Sequence, residues 1–230
     1  ARLISQSTDV TSYAMGLGLS MGMRTSLFIA IWVVILITMM SPTAAPMILM
    51  FTTVYAGKRQ QSQAFVPTWV FVSAYLLIWT LFGLVAYPLA LLAERLAGQS
   101  MWLMTNGPRI GGALLVVAGL YQLSPLKHIC LAKCRTPLQF ILSSWRDGYG
   151  GAFRMGFVHG AYCLGCCWFL FVLLFPLGIM NIAVMALLTA LIYAEKSFPL
   201  GRQISQFAGV ALIVYGVIVL FMPAALPTAM

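Results

Sequence analysis

The sequence predicts an all-α protein, a polytopic transmembrane helical bundle of about six spans with a short cytoplasmic connection that carries cysteines. Three observations lead there. Apolar residues make up 62% of the chain. Charged residues make up only 7%, against roughly a quarter in an ordinary soluble domain, which is too few to coat a water-facing surface. The apolar residues also come in long runs, and a run of about 18 or more reads as a membrane span.

The spans follow in order. The first is expected at 27–55 and is closed by Lys58 and Arg59. Pro42 and Pro46 lie in its second half and predict a kink or an unwound stretch, because proline removes an amide donor and crowds the preceding turn. The second is expected at 65–92. The third, at 110–123, is shorter and bracketed by Pro108 and Pro125. One long connection follows, at 124–151. The fourth span is expected at 152–175, the fifth at 180–195, ending on Glu195 and Lys196, and the sixth at 204–221. Residues 1–230 thus read as a single membrane domain with no room for a soluble one. Residues 1–24 are polar and lack the basic-then-apolar form of a signal peptide. Trp32, Tyr55, Trp69 and Trp102 lie near the expected interfaces and read as belt residues.

The net charge of +9 points to topology, not to nucleic acid, because the basic residues fall in short connections. Nine lie on one side (Lys58, Arg59, Lys127, Lys133, Arg135, Arg146, Arg154, Lys196, Arg202) and four on the other (Arg2, Arg24, Arg95, Arg109). That bias puts the first side in the cytoplasm. The expected partner is the lipid bilayer.

The fourth span carries the chemistry. With Cys163 at zero and 100° per residue, His159 falls at about −40°, Cys166 at −60°, Cys167 at +40° and Met155 at −80°. These side chains occupy roughly a third of the helix circumference. Gly156 and Gly160 lie on the same side and predict a close helix–helix approach. Cys163 is about 16 Å from the span's entry, near the middle of a ~30 Å hydrocarbon core, where a thiolate or imidazole is costly unless paired or metal-bound.

Two further sets of soft ligands stand elsewhere. Met39 and Met40 precede the prolines of the first span at a similar depth. Cys130 and Cys134 share a face of a short interfacial helix in the long connection, with His128 elsewhere on it and Lys133 and Arg135 beside them. Thiolate and thioether select soft cations. The expected cargo or cofactor is a metal ion, Cu(I) first, with Zn or no metal as alternatives. The candidate metal ligands are Cys163, Cys166, Cys167, His159, Met39, Met40, Cys130 and Cys134; no catalytic or organic-cofactor residues stand out, and the balance is against an enzyme. Whether the cysteines form one site or two stays open. Glu195 and Lys196 read as a local ion pair or a snorkelling end at the membrane surface; the alternative is that Glu195 faces the bundle as a proton or cation site.

Three other readings carry weight. Cys163 and Cys166 form a Cys-x-x-Cys, so a quinone-linked thiol oxidoreductase is one. An accessory subunit of a larger membrane complex, stabilising its partners or delivering metal to them, is another. Haem ligation by His159 is a third, and it lacks a second axial histidine. No phosphate-binding loop is present to drive transport by nucleotide.

Several of these stretches together resemble one family. They are Met39-Met40-Ser41-Pro42-Thr43-Ala44-Ala45-Pro46-Met47, the run from Tyr121 through Lys127 to Cys130 and Cys134, Trp145-Arg146-Asp147-Gly148, and the run from Met155 to Trp168 with His159-Gly160 and Cys163-x-Gly165-Cys166-Cys167. They resemble a bacterial family of uncharacterised, predicted metal-binding integral membrane proteins over residues 27–220. The resemblance implies a multi-pass protein of the bacterial inner membrane and a metal, and no established activity. It also leads one to expect a further apolar segment before residue 27.

Overall fold

The computed structural model describes residues 25–60, 66–178 and 181–225. The polar segment 1–24 and Met180, the expected start of the fifth span, lie outside the described residues. All regular elements among the described residues are helical: α1 Thr25–Gln60, α2 Thr68–Gln99, α3 Met101–Leu123, α4 Pro125–Arg135, α5 Pro137–Ser144, α6 Gly148–Val172, α7 Leu174–Leu177, α8 Ile182–Ser197 and α9 Gly201–Phe221, with a 3₁₀ turn at Pro223–Ala225.

Four stretches are long and apolar enough to cross a membrane: Ser26–Gly57, Thr68–Ala93, Gly148–Leu177 and Gly201–Phe221. Thr105–Leu123 and Pro125–Arg135 make a fifth only if they are taken as one span, broken by a 62° bend. Six full spans were expected. The difference arises at α3, which qualifies only together with α4, and at α8, whose 16 residues rise about 24 Å, short of a ~30 Å core.

Proline and serine explain the bend between α3 and α4. Pro125 cannot continue α3 but suits the first turn of a new helix. The Ser124 hydroxyl caps that helix by accepting from the Lys127 amide at 3.3 Å. At α8 the Asn181 side chain caps the amides of Ala183 and Val184. Of the two outcomes expected at the prolines of α1, an unwound stretch does not occur. The helix runs unbroken through Pro42 and Pro46. Thr43, next to Pro42, donates to the Met40 carbonyl at 3.0 Å, the kind of side-chain support that lets a membrane helix keep a proline.

Close packing comes from glycine. On α6, a Cβ at Gly156 would collide with the Phe71 carbonyl of α2, and one at Gly160 would press on Ile78 at 3.2 Å. These two residues therefore bring α2 and α6 together as their spacing predicts. The antiparallel pair α3 and α9 uses a second seam. Gly112 faces Gly216, and Gly119 faces Gly209; a Cβ at Gly119 would lie 2.6 Å from the Gly209 carbonyl oxygen. Two aromatic residues expected at the interface are interior instead. Trp32 is 1% exposed and donates to the Trp79 carbonyl at 3.1 Å; Tyr55 stacks between Phe51 and Trp145. Trp69 and Trp102 are exposed, as belt residues are.

The glycine seam gives a direct test. Gly119→Ala forces Cβ into a backbone carbonyl, and overpacking of this kind costs about 1–3 kcal/mol. Its unfolding midpoint in detergent should fall below wild type, whereas Gly57→Ala, with nothing within 4 Å of the added atom, should not fall. Equal midpoints for the two variants would refute the seam.

Candidate metal site

Helix α6 sets Cys163, Cys166 and Cys167 at i, i+3 and i+4, so all three reach one face; each is at most 2% exposed. The Cys163 Sγ is 4.0 Å from the Cys167 Sγ, and the Cys167 Sγ is 3.5 Å from the Cys166 Sγ. The thiols of Cys166 and Cys167 also reach the Cys163 carbonyl, at 3.1 and 2.7 Å.

Other helices add sulfur at both ends of this row. From α1, the Met40 Sδ comes within 4.0 Å of Cys163. From α4, the Cys134 Sγ comes within 3.9 Å of Cys166. The result is a continuous line of sulfur contacts, Cys134–Cys166–Cys167–Cys163–Met40, crossing from α4 through α6 to α1. Cys130 joins the neighbourhood at Gly165, where an added Cβ would lie 2.9 Å from its Sγ. The long connection and the fourth span therefore contribute to one region. All five cysteines are free thiols.

The line is not a cage. Among the described residues, no three Cys, His, Asp or Glu side chains are arranged to hold one ion. His159 and Met39 make other contacts beside the sulfur line. The His159 ring lies among Phe71, Tyr75 and Phe140, with centroids 5.9, 5.7 and 5.5 Å away. Its Nδ1 is buried with no hydrogen-bond partner among the described residues. Met39 is buried in the same core, but the thioether that meets Cys163 is that of Met40.

Three polar groups missed by sequence reasoning complete the site. The Lys196 ammonium, at the end of α8, donates to the Cys163 Sγ at 3.0 Å and to the Thr43 Oγ1 at 3.4 Å. The Tyr75 hydroxyl of α2 lies 3.1 Å from the same sulfur. The Tyr121 hydroxyl of α3 donates to the Gly165 carbonyl. Four helices thus converge on Cys163, namely its own α6, α1, α2 and α8.

Glu195 and Lys196 do not pair with each other. Glu195 turns away, accepting from Lys127 of α4 at 2.7 Å and from Gln122 of α3 at 3.0 Å. The Ser205 hydroxyl of α9 donates to the Gln122 carbonyl. Lys127 is 0% and Glu195 2% exposed, so two of the lysines counted as loop charges, Lys127 and Lys196, are interior. The one available signal was Glu195-Lys196 at the end of an apolar run, where a charged residue is a candidate functional group. Arg135 fastens the same corner from outside by donating to the carbonyls of Phe198 and Pro199, one residue beyond Cys134.

A line of soft donors without hard oxygen ligands, buried in an apolar bundle, is chemistry suited to a soft cation. No curated protein and no solved structure matches the chain. Residues 29–219, most of the chain and all of the sulfur line, match the PpoB2 family, described as copper chaperone. The chain belongs to the PpoB2 family of copper chaperones.

Proposed function

We propose that this protein is a multi-pass chaperone of the bacterial inner membrane that takes up Cu(I) on sulfur and hands it to an acceptor, a protein of the same membrane or a subunit of a larger complex. The observation that carries the reading is the unbroken line from Cys134 to Met40. Neighbouring sulfurs 3.5–4.0 Å apart let one ion be held by two donors at once. Each step forms one Cu–S bond as another breaks, the proton of an entering thiol passing to the thiolate that is released, with no change of oxidation state and no nucleotide. Cys163, Cys166, Cys167, Cys134 and Met40 are the ligands in this reading. Cys130, beside Gly165, is positioned to load or unload the line, and His159 and Met39 flank it.

Zinc suits the arrangement less well, because its structural sites are closed tetrahedra of four ligands. The thiol-oxidoreductase alternative requires Cys163 and Cys166 to pair. The Cys166 thiol is shared more widely than one pair, reaching the Cys163 carbonyl and the sulfurs of Cys134 and Cys167 as well, which favours metal exchange.

Two measurements test the proposal. Protein purified without oxygen should contain near-stoichiometric copper by mass spectrometry, and a Cys163→Ser/Cys166→Ser/Cys167→Ser variant should have lost it; equal copper in both, or none in the wild type, overturns the assignment. A Cys134→Ser variant keeps the three thiols of α6 and should still bind copper. Transfer from it to a Cu(I) chelator should slow by about tenfold, the scale of ~1.4 kcal/mol on the barrier. An unchanged transfer rate would mean that Cys134 is outside the path.

A further inference from the structure

We propose that Lys196 is a specificity residue, a fixed positive charge that admits a monovalent soft cation to Cys163 and turns away a divalent one. This rests on the copper reading above and assigns a role to a residue outside its ligand set.

The placement is specific. The Lys196 side chain ends in the interior, 3.0 Å from the Cys163 Sγ and 3.4 Å from the Thr43 Oγ1. The Thr43 hydroxyl proton is directed at the Met40 carbonyl and Sδ, which leaves its lone pairs for the ammonium. The adjacent carboxylate does not neutralise this charge. Glu195 is engaged by Lys127 and Gln122, and among the described residues no carboxylate pairs with Lys196. Lys196 also lies in the last turn of α8, where the exposed carbonyl ends favour a cation. The ammonium is therefore held against Cys163 by Thr43, which is not itself a ligand, and by its place in the last turn of α8.

Sulfur softness alone does not separate the candidates, because thiolates take both Cu(I) and Zn. These two ions are isoelectronic and differ in charge. Repulsion between two cations is proportional to the product of their charges and grows as the dielectric falls. At one position beside Lys196, a divalent ion meets twice the repulsion of a monovalent one. The buried line thus excludes zinc by charge, where an open thiol pair at the surface would bind it.

The test uses the whole protein in lipid nanodiscs, without oxygen, with competing chelators for Cu(I) and Zn(II). Lys196→Met and Lys196→Gln remove the charge, and Lys196→Arg keeps it. The neutral variants should tighten Zn(II) by twice as many powers of ten as Cu(I), for instance about 100-fold against about tenfold, following the doubled repulsion; Lys196→Arg should keep the wild-type ratio. Equal factors for the two metals, or weaker Cu(I) binding in the neutral variants, overturns the proposal. A second measurement needs no variant. The wild type should take Ag(I) and reject Cd(II), another isoelectronic pair, and equal uptake of both overturns the charge filter even if the neutral variants do not fold. A wild type that binds neither Cu(I) nor Ag(I) would instead remove the copper reading beneath it.

Discussion

The buried ion pair between Lys127 and Glu195 is the constraint on which the rest of the site depends. A charge pair in an apolar interior loses much of its hydration, and the loss is compensated only if both partners are well hydrogen-bonded. Here Glu195 has one oxygen on Lys127 and the other on Gln122. Removing one partner of such a pair typically costs about 3–5 kcal/mol, because the other charge is stranded. That energy fixes the end of α8 against the junction of α3 and α4. Two contacts accompany it. Lys196, the next residue, meets Cys163, and α4 lies against α6 so that Cys134 meets Cys166.

Glycine supplies the other half of the arrangement. Without side chains at Gly156 and Gly160, α2 approaches α6 closely enough for the Tyr75 hydroxyl to reach Cys163. Without one at Gly165, Cys130 and Tyr121 approach the same turn. The Gly112–Gly216 and Gly119–Gly209 contacts hold α3 and α9 as one unit, and α3 ends on Gln122, which Ser205 of α9 braces. In a bilayer, helices associate by close van der Waals contact and polar pairing, since lipid is as apolar as the side chains it replaces. Small residues and one satisfied charge cluster are the devices left.

How much of this was legible in the sequence follows from the range of each interaction. The face of α6 was readable, because Cys163, Cys166 and Cys167 are related by helical period alone. So was the close approach at Gly156 and Gly160. The meeting of Cys134 with Cys166 was not, because it depends on a 62° bend and on which way the chain turns after it. The interior positions of Lys127 and Lys196 were hidden by the same limit: counting Lys and Arg treats each as a loop charge, and only the packing of α4 against α8 reveals the pairing. The surroundings of His159 were hidden in the same way: its angle on the helix matches the cysteines, but that angle carries no information on the aromatic rings that α2 and α5 present there.

The row of overlapping sulfur pairs fits the work proposed for the protein. A closed four-ligand site contributes folding energy and holds its metal firmly, which suits storage or structure. A carrier needs an ion bound well enough to enter and loosely enough to leave, the condition that ion channels meet with several sites of similar depth. A row of sulfurs in overlapping pairs has that property, since the ion never has to give up both ligands at once. The fixed ammonium acts in the same direction. By opposing any cation at Cys163 it keeps that position shallow, so the features that would make the site a poor trap, its open geometry and its adjacent positive charge, are those that make it able to pass its cargo on.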